Sequence, residues 1–143
     1  MICSFIGHRD APDSIHSILH QTLCALIERE RVDCFYVGEQ GAFDRLVLLE
    51  LRELQKRYPY IQYCVVLAYY DPIGRQNPSI KEKTLYPWGL ERVPRRYAIS
   101  RRNRWMIEQS SFLVAYVNSE IGNSASVLRM AYKRGVQIIN LAK

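Results

Sequence analysis

Met1-Ile-Cys-Ser-Phe-Ile-Gly-His-Arg-Asp10 is the stretch that decides how this chain folds. A short apolar run stops at Gly7, His8 and Arg9 follow, and an amphipathic pattern begins after Pro12-Asp13. That order predicts a buried strand, a tight turn and a helix. In an open α/β sheet such a junction lies at the carboxyl edge of the strands, where ligands bind. A glycine there lets the backbone approach a phosphate, and the helix that follows presents unpaired N–H groups and the positive end of its dipole. His8 and Arg9 add donors suited to an anion.

The same unit recurs along the chain. The first predicted helix runs from about Asp13, its N-cap, to Glu30, with Ile15, Ile18, Leu19, Thr22, Leu23, Leu26 and Ile27 at three-four spacing. Cys34–Val37 is the second predicted strand, and a helix from about Phe43 to Arg57 follows, closed by Pro59. Gln62–Tyr69 is the third strand, apolar on both faces as a parallel sheet requires. Between Tyr70 and Pro94 the pattern breaks into a proline- and glycine-bearing segment, the kind that serves as a lid or binding loop. Regular structure resumes with a helix from about Arg96 to Gln109 and a strand over Phe112–Val117. A polar turn, a helix over Ser124–Arg134 ended by Gly135, and a strand over Gln137–Leu141 complete the pattern. The expectation is one domain over residues 1–143: an α/β, Rossmann-like three-layer fold with a mainly parallel five-stranded sheet in the order 3-2-1-4-5.

Composition narrows the classes. Hydrophobic residues make up 48% of the chain, enough for a continuous core. No apolar run approaches the roughly 18 residues of a membrane span, so no membrane partner is expected. The opening segment lacks a basic start and a small-residue cleavage site. Cys3, Cys24, Cys34 and Cys64 are scattered with no Cys-x-x-Cys pair, which suits reduced thiols in a cytoplasmic protein. Net charge is +6, with the excess concentrated between Lys81 and Arg104, a segment suited to nucleic acid, to a small polyanion, or simply to solvent. His16, His20 and Cys24 recur every fourth residue but read as the side of a helix, and no metal or cofactor is expected. Tyr69, Tyr70, Trp88 and Trp105 are placed either to stack on a base or to pack.

Three strand ends share one sheet edge in this arrangement. They carry Gly7-His8-Arg9, then Gly38-Glu39-Gln40-Gly41-Ala42-Phe43-Asp44, then Asn118 through Gly122-Asn123-Ser124. The third helix adds Arg102 and Asn103, which fall on its inward stripe with Ile99, Met106 and Ile107. A charged and an amide side chain on an apolar face need partners, because unpaired burial is costly. For Arg102 those partners are either a ligand phosphate or a core carboxylate such as Asp44.

Phe5-Ile-Gly-His-Arg9, Gly38-Glu-Gln-Gly-Ala-Phe-Asp44, Arg102-Asn-Arg-Trp-Met106 and Ser110-Ser-Phe-Leu-Val-Ala-Tyr116 together resemble the superfamily that groups DprA with the Lonely Guy enzymes. Within it the chain is similar to small bacterial and phage proteins of the YpsA type. The resemblance implies a Rossmann-like fold that binds nucleotides or nucleotide-derived ligands, with Arg102 at the position of a substrate-binding arginine. Lonely Guy enzymes also carry a glutamate in Pro-Gly-Gly-x-Gly-Thr-x-x-Glu. The matching turn here, Asn118 to Leu128, keeps Gly122, Ser124 and Ser126 but has Val127 and Leu128 where that glutamate would fall.

The favoured expectation is a module that senses or sequesters a nucleotide or nucleotide-sugar. The ligand would be held by Gly7, His8, Arg9, Gly38, Gln40, Gly41, Arg102, Asn103, Asn118, Gly122, Asn123 and Ser124. The alternatives are a glycoside hydrolase of Lonely Guy type, with His8, Glu39 or Glu120 as acid or base, and a DprA-like DNA-binding protein. A homo-dimer or higher homo-oligomer is expected from the second helix, apolar around its girth at Leu46, Val47, Leu48, Leu49, Leu51 and Leu54.

Overall fold

In a computed structural model, described over residues 1–39, 41–70 and 82–142, strands and helices alternate as the sequence predicts. Gln40 and residues 71–81 of the irregular segment lie outside the described residues. The strands are β1 (Ile2–Gly7), β2 (Cys34–Val37), β3 (Gln62–Val66), β4 (Thr84–Leu85), β5 (Phe112–Tyr116) and β6 (Gln137–Asn140). The helices are α1 (His16–Glu28), α2 (Ala42–Arg57), α3 (Ala98–Gln109) and α4 (Asn123–Lys133).

All neighbouring strands pair in parallel, in the order β4-β3-β2-β1-β5-β6. Among the described residues the sheet therefore has six strands, not five. The addition is β4, whose two residues join Val65 and Val66 at the edge of the sheet. Two residues are too few to show a strand period, so the sequence of this segment carries no strand signal. The order of the other strands is the expected one.

The strand period of two sorts the core into layers. Cys3 and Phe5 of β1, Phe35 and Val37 of β2, and Phe112 and Val114 of β5 pack with α1 and α2. Ile6, Leu113 and Ala115 pack instead with α4, while Cys64 and Val66 meet Met106 of α3. Ser4 also faces α3, where its hydroxyl donates to the Met106 carbonyl at 3.1 Å. All four cysteines are free thiols.

Helix ends shift from expectation by a few residues. Asp13 begins a short 3-10 turn over Asp13–Ile15 and makes no capping hydrogen bond; α1 proper starts at His16. A similar turn over Arg95–Tyr97 leads into α3. The girth of α2 is mostly spent inside the chain: Val47, Leu48, Leu51 and Leu54 are buried, and Leu49 is 55% exposed. Glu50, on the same helix, is only 4% exposed. Its carboxylate receives His16 Nε2 at 2.7 Å and is hydrogen-bonded to His20 Nδ1, so the histidine ladder of α1 serves to join α1 to α2.

Candidate functional site

The carboxyl ends of β1 and β2 and the start of α4 enclose a cleft of about 220 Å³. Gly7, His8, Arg9, Gly38, Arg102, Asn103, Asn123 and Ser124 line it, together with Phe5, Ile6, Asp44 and Ile99.

The turn after β1 is tied on two sides. Gly7 ends the strand directly against the Phe43 ring, leaving no room for a β-carbon. The His8 N–H donates to the Tyr116 carbonyl at 3.2 Å. Its ring Nε2 accepts the Asn118 N–H at 3.0 Å, which places the proton of the neutral ring on Nδ1. The Arg9 carbonyl accepts the Ala42 N–H at 2.9 Å. Gly41 has φ +91°, and a β-carbon there would come within 2.6 Å of the Arg9 Cα, so this crossing requires glycine twice over.

Arg102 is the buried centre of the site. The inward stripe of α3 carries it to 1% exposure. Its Nε donates to Asn103 Oδ1 and its Nη1 to the Val66 carbonyl, each at 2.8 Å. Burial pulls the guanidinium below its ordinary pKa, and the Asp44 and Glu39 carboxylates oppose that pull. Glu39 is half-buried; burial pushes its carboxyl above the ordinary range, with Arg102 drawing it back. The hydrogen bonds of Arg102 thus go to Asn103 and the Val66 carbonyl, while the Asp44 carboxylate is near enough to act on its charge. The arginine is anchored from within the protein and lends the cleft floor its charge.

The donors left over face the opening. Asn103 spends its carbonyl on Arg102, and its amide nitrogen has no partner among the described residues. Asn123 Oδ1 accepts the Ser100 hydroxyl at 2.9 Å, which ties α4 to α3. No side chain caps α4, whose N-cap is Gly122 at φ +101°. The N–H groups of Asn123, Ser124 and Ala125 have no partner among the described residues. Chemically, this is a set of neutral donors and a helix dipole beside a buried guanidinium.

Eight of the predicted ligand residues thus line one cleft. Gly41 and Gly122 shape its two bordering helix starts, and Asn118 reaches it only through His8. Gln40 lies outside the described residues. Glu120 sits in a separate surface depression with Asn118 and Arg129. The expected ligand set left out Asp44 and Ile99, which also line the cleft. Both carried a signal: Asp44 follows a helix-starting glycine, and Ile99 begins the inward stripe of α3. Among the described residues, no group of three or more His, Cys, Asp or Glu side chains is arranged to hold a metal ion.

These features define a Rossmann-like α/β protein with a polar cleft at the carboxyl edge of a parallel sheet. Among solved structures it is similar to DNA processing protein A (DprA) from Streptococcus pneumoniae, with a TM-score of 0.56 at 12% identity. The match covers 98% of this chain and 58% of that one, and at this identity it establishes a shared fold. No family model and no curated protein sequence matches the chain. Among the described residues, no helix is long and apolar enough to cross a membrane.

Proposed function

We propose that the chain is a small cytoplasmic member of the DprA/Lonely Guy superfamily, of YpsA type, that binds a phosphorylated, nucleotide-derived ligand in this cleft. The observation that carries the reading is the uncapped start of α4 beside Asn103 and His8, over a floor charged by Arg102. A phosphate fits the free N–H groups of residues 123–125, as anions do at helix N-termini. The Asn103 amide and the Arg9 guanidinium supply further donors. Binding without turnover is the favoured form, because the first turn of α4 carries Val127 where a hydrolase of the Lonely Guy kind has its glutamate. Glu39, whose carboxyl burial pushes above its ordinary range, is the acid to examine if turnover occurs. A homo-dimer remains part of this reading, with Leu49 as the exposed apolar residue of α2.

Calorimetric titration with nucleoside mono-, di- and triphosphates and nucleotide-sugars, with mass analysis of each mixture afterwards, tests it. One of these ligands is expected to bind saturably and be recovered intact. The absence of binding across the set, or its insensitivity to a carboxylate placed at Ser124, defeats the proposal.

A second reading rests on a different surface. Arg92 lies over the Trp88 ring at 5.4 Å, Arg95 over Tyr69 at 4.1 Å and Arg96 over Tyr97 at 4.8 Å. Trp88 is 87% exposed. Aromatic faces interleaved with cations suit a single-stranded nucleic acid. Binding of an oligonucleotide that weakens steeply with salt and falls in Trp88→Ala and Arg96→Ala alike would favour that reading.

A further inference from the structure

β6 is the outer strand on its side of the sheet, and among the described residues nothing blunts it. Its residues, Gln137-Ile-Ile-Asn140, include no charge, proline or glycine. Exposed strand edges are ordinarily protected by one of these devices or by shortness, as the two-residue β4 is at the opposite edge. The Gln137 N–H reaches the Ser111 carbonyl at 3.0 Å and the Leu141 N–H reaches the Ala115 carbonyl at 2.7 Å. The parallel ladder between them turns the backbone of residues 137, 139 and 141 toward β5. The backbone N–H and C=O groups of Ile138 and Asn140 therefore point outward, and no described residue bonds them.

An apolar trough of about 650 Å³ runs beside this edge. Ile138 and Leu128 line it with Tyr132, which is 78% exposed. Arg129 and Lys133 form its rim, and Arg134 is exposed one residue further on. We propose that this edge docks an extended segment of another protein, one that is apolar at alternate positions and acidic at its ends. Its backbone would pair with Ile138 and Asn140, its apolar side chains would fill the trough, and its carboxylates would meet the rim. A second copy of this chain suits the site less well. Across a two-fold axis each α4 would present Arg129 and Lys133 to the same residues of its mate, like charge on like, in a protein of net charge +6.

The test is fluorescence anisotropy of the full chain with a labelled Glu-Glu-Val-Thr-Val-Thr-Val-Glu-Glu peptide and a counterpart carrying lysine for each glutamate. Saturable binding of the acidic peptide, about tenfold or more tighter than the lysine peptide, is expected. Ile138→Pro removes an outward N–H and leaves the ladder to β5 intact, so it should abolish binding while the circular dichroism spectrum is retained. Lys133→Glu, on the solvent side of α4, should weaken the acidic peptide about tenfold and strengthen the lysine peptide. Absence of saturation, equal binding of both peptides, or binding indifferent to Ile138→Pro overturns the proposal. So does a dimer in sedimentation that Ile138→Pro dissociates, since the occupant would then be a second copy.

Discussion

The guanidinium of Arg102 lies against the backbone of Gly38, so close that a β-carbon at position 38 would come within 3.0 Å of it. Arg102 is held from two sides, through Asn103 and the Val66 carbonyl, and cannot easily retreat. Gly38→Ala is therefore expected to destabilise the protein by about 1–3 kcal/mol, the range for overpacking a filled interior. Urea denaturation at neutral pH measures this. An unchanged midpoint would show that the arginine is free to move.

Arg102→Met removes a buried cation and leaves the Asp44 and Glu39 carboxylates without the positive charge they face. Breaking a buried charge arrangement from one side costs roughly 3–5 kcal/mol. The loss should be clear at pH 7 and shrink in acid, where the carboxyls take up protons. Thermal melts of both proteins at the two conditions give the comparison, and a constant difference in melting temperature would contradict it.

Glu39 has its carboxyl raised above the unfolded value, chiefly by burial. The folded state thus holds that proton more tightly than the unfolded chain does. The stabilisation this contributes is complete below the unfolded carboxyl range and is lost as pH rises through the folded value. Glu39→Gln, which cannot ionise, should accordingly raise the urea midpoint at neutral pH. The two midpoints should coincide near about pH 3, where the native carboxyl is protonated. A midpoint lowered by Glu39→Gln at pH 7 would mean that the attraction to Arg102 outweighs burial.

Glu50 joins α2 to both His16 and His20 while almost wholly buried. Glu50→Ala is expected to cost about 2–4 kcal/mol, from a cavity and two lost interhelical contacts. His16→Ala removes a mostly exposed partner and should cost no more than about 1 kcal/mol. Chemical denaturation of the two variants separates a buried anchor from a surface pairing.

Ser124→Asp places a carboxylate on the free N–H groups of α4, where negative charge favours the helix. The melting temperature should hold or rise while affinity for a phosphorylated ligand falls at least about tenfold, or 1.4 kcal/mol. Arg101→Ala, on the exposed face of α3, should leave that affinity unchanged. Titration calorimetry of both variants reads the outcome.

Much of this was legible in the chain because it is periodic. Three-four spacing places Arg102 and Asn103 on the buried stripe of α3, and apolar strands ending in glycine turns put Gly7, Gly38 and Ser124 at one sheet edge. What periodicity cannot encode is who meets whom across the fold. Glu50 reads as a polar residue of α2 until α1 brings two histidines to it. Thr84 and Leu85 read as loop until the edge of β3 offers them hydrogen bonds. His8 reads as a free donor until Asn118, 110 residues away, claims its Nε2. Local pattern determines which face of an element turns inward, because burial of apolar surface dominates that choice. Which polar groups are consumed by neighbours and which are left for a ligand depends on distances between elements far apart in sequence, and only the tertiary structure decides those.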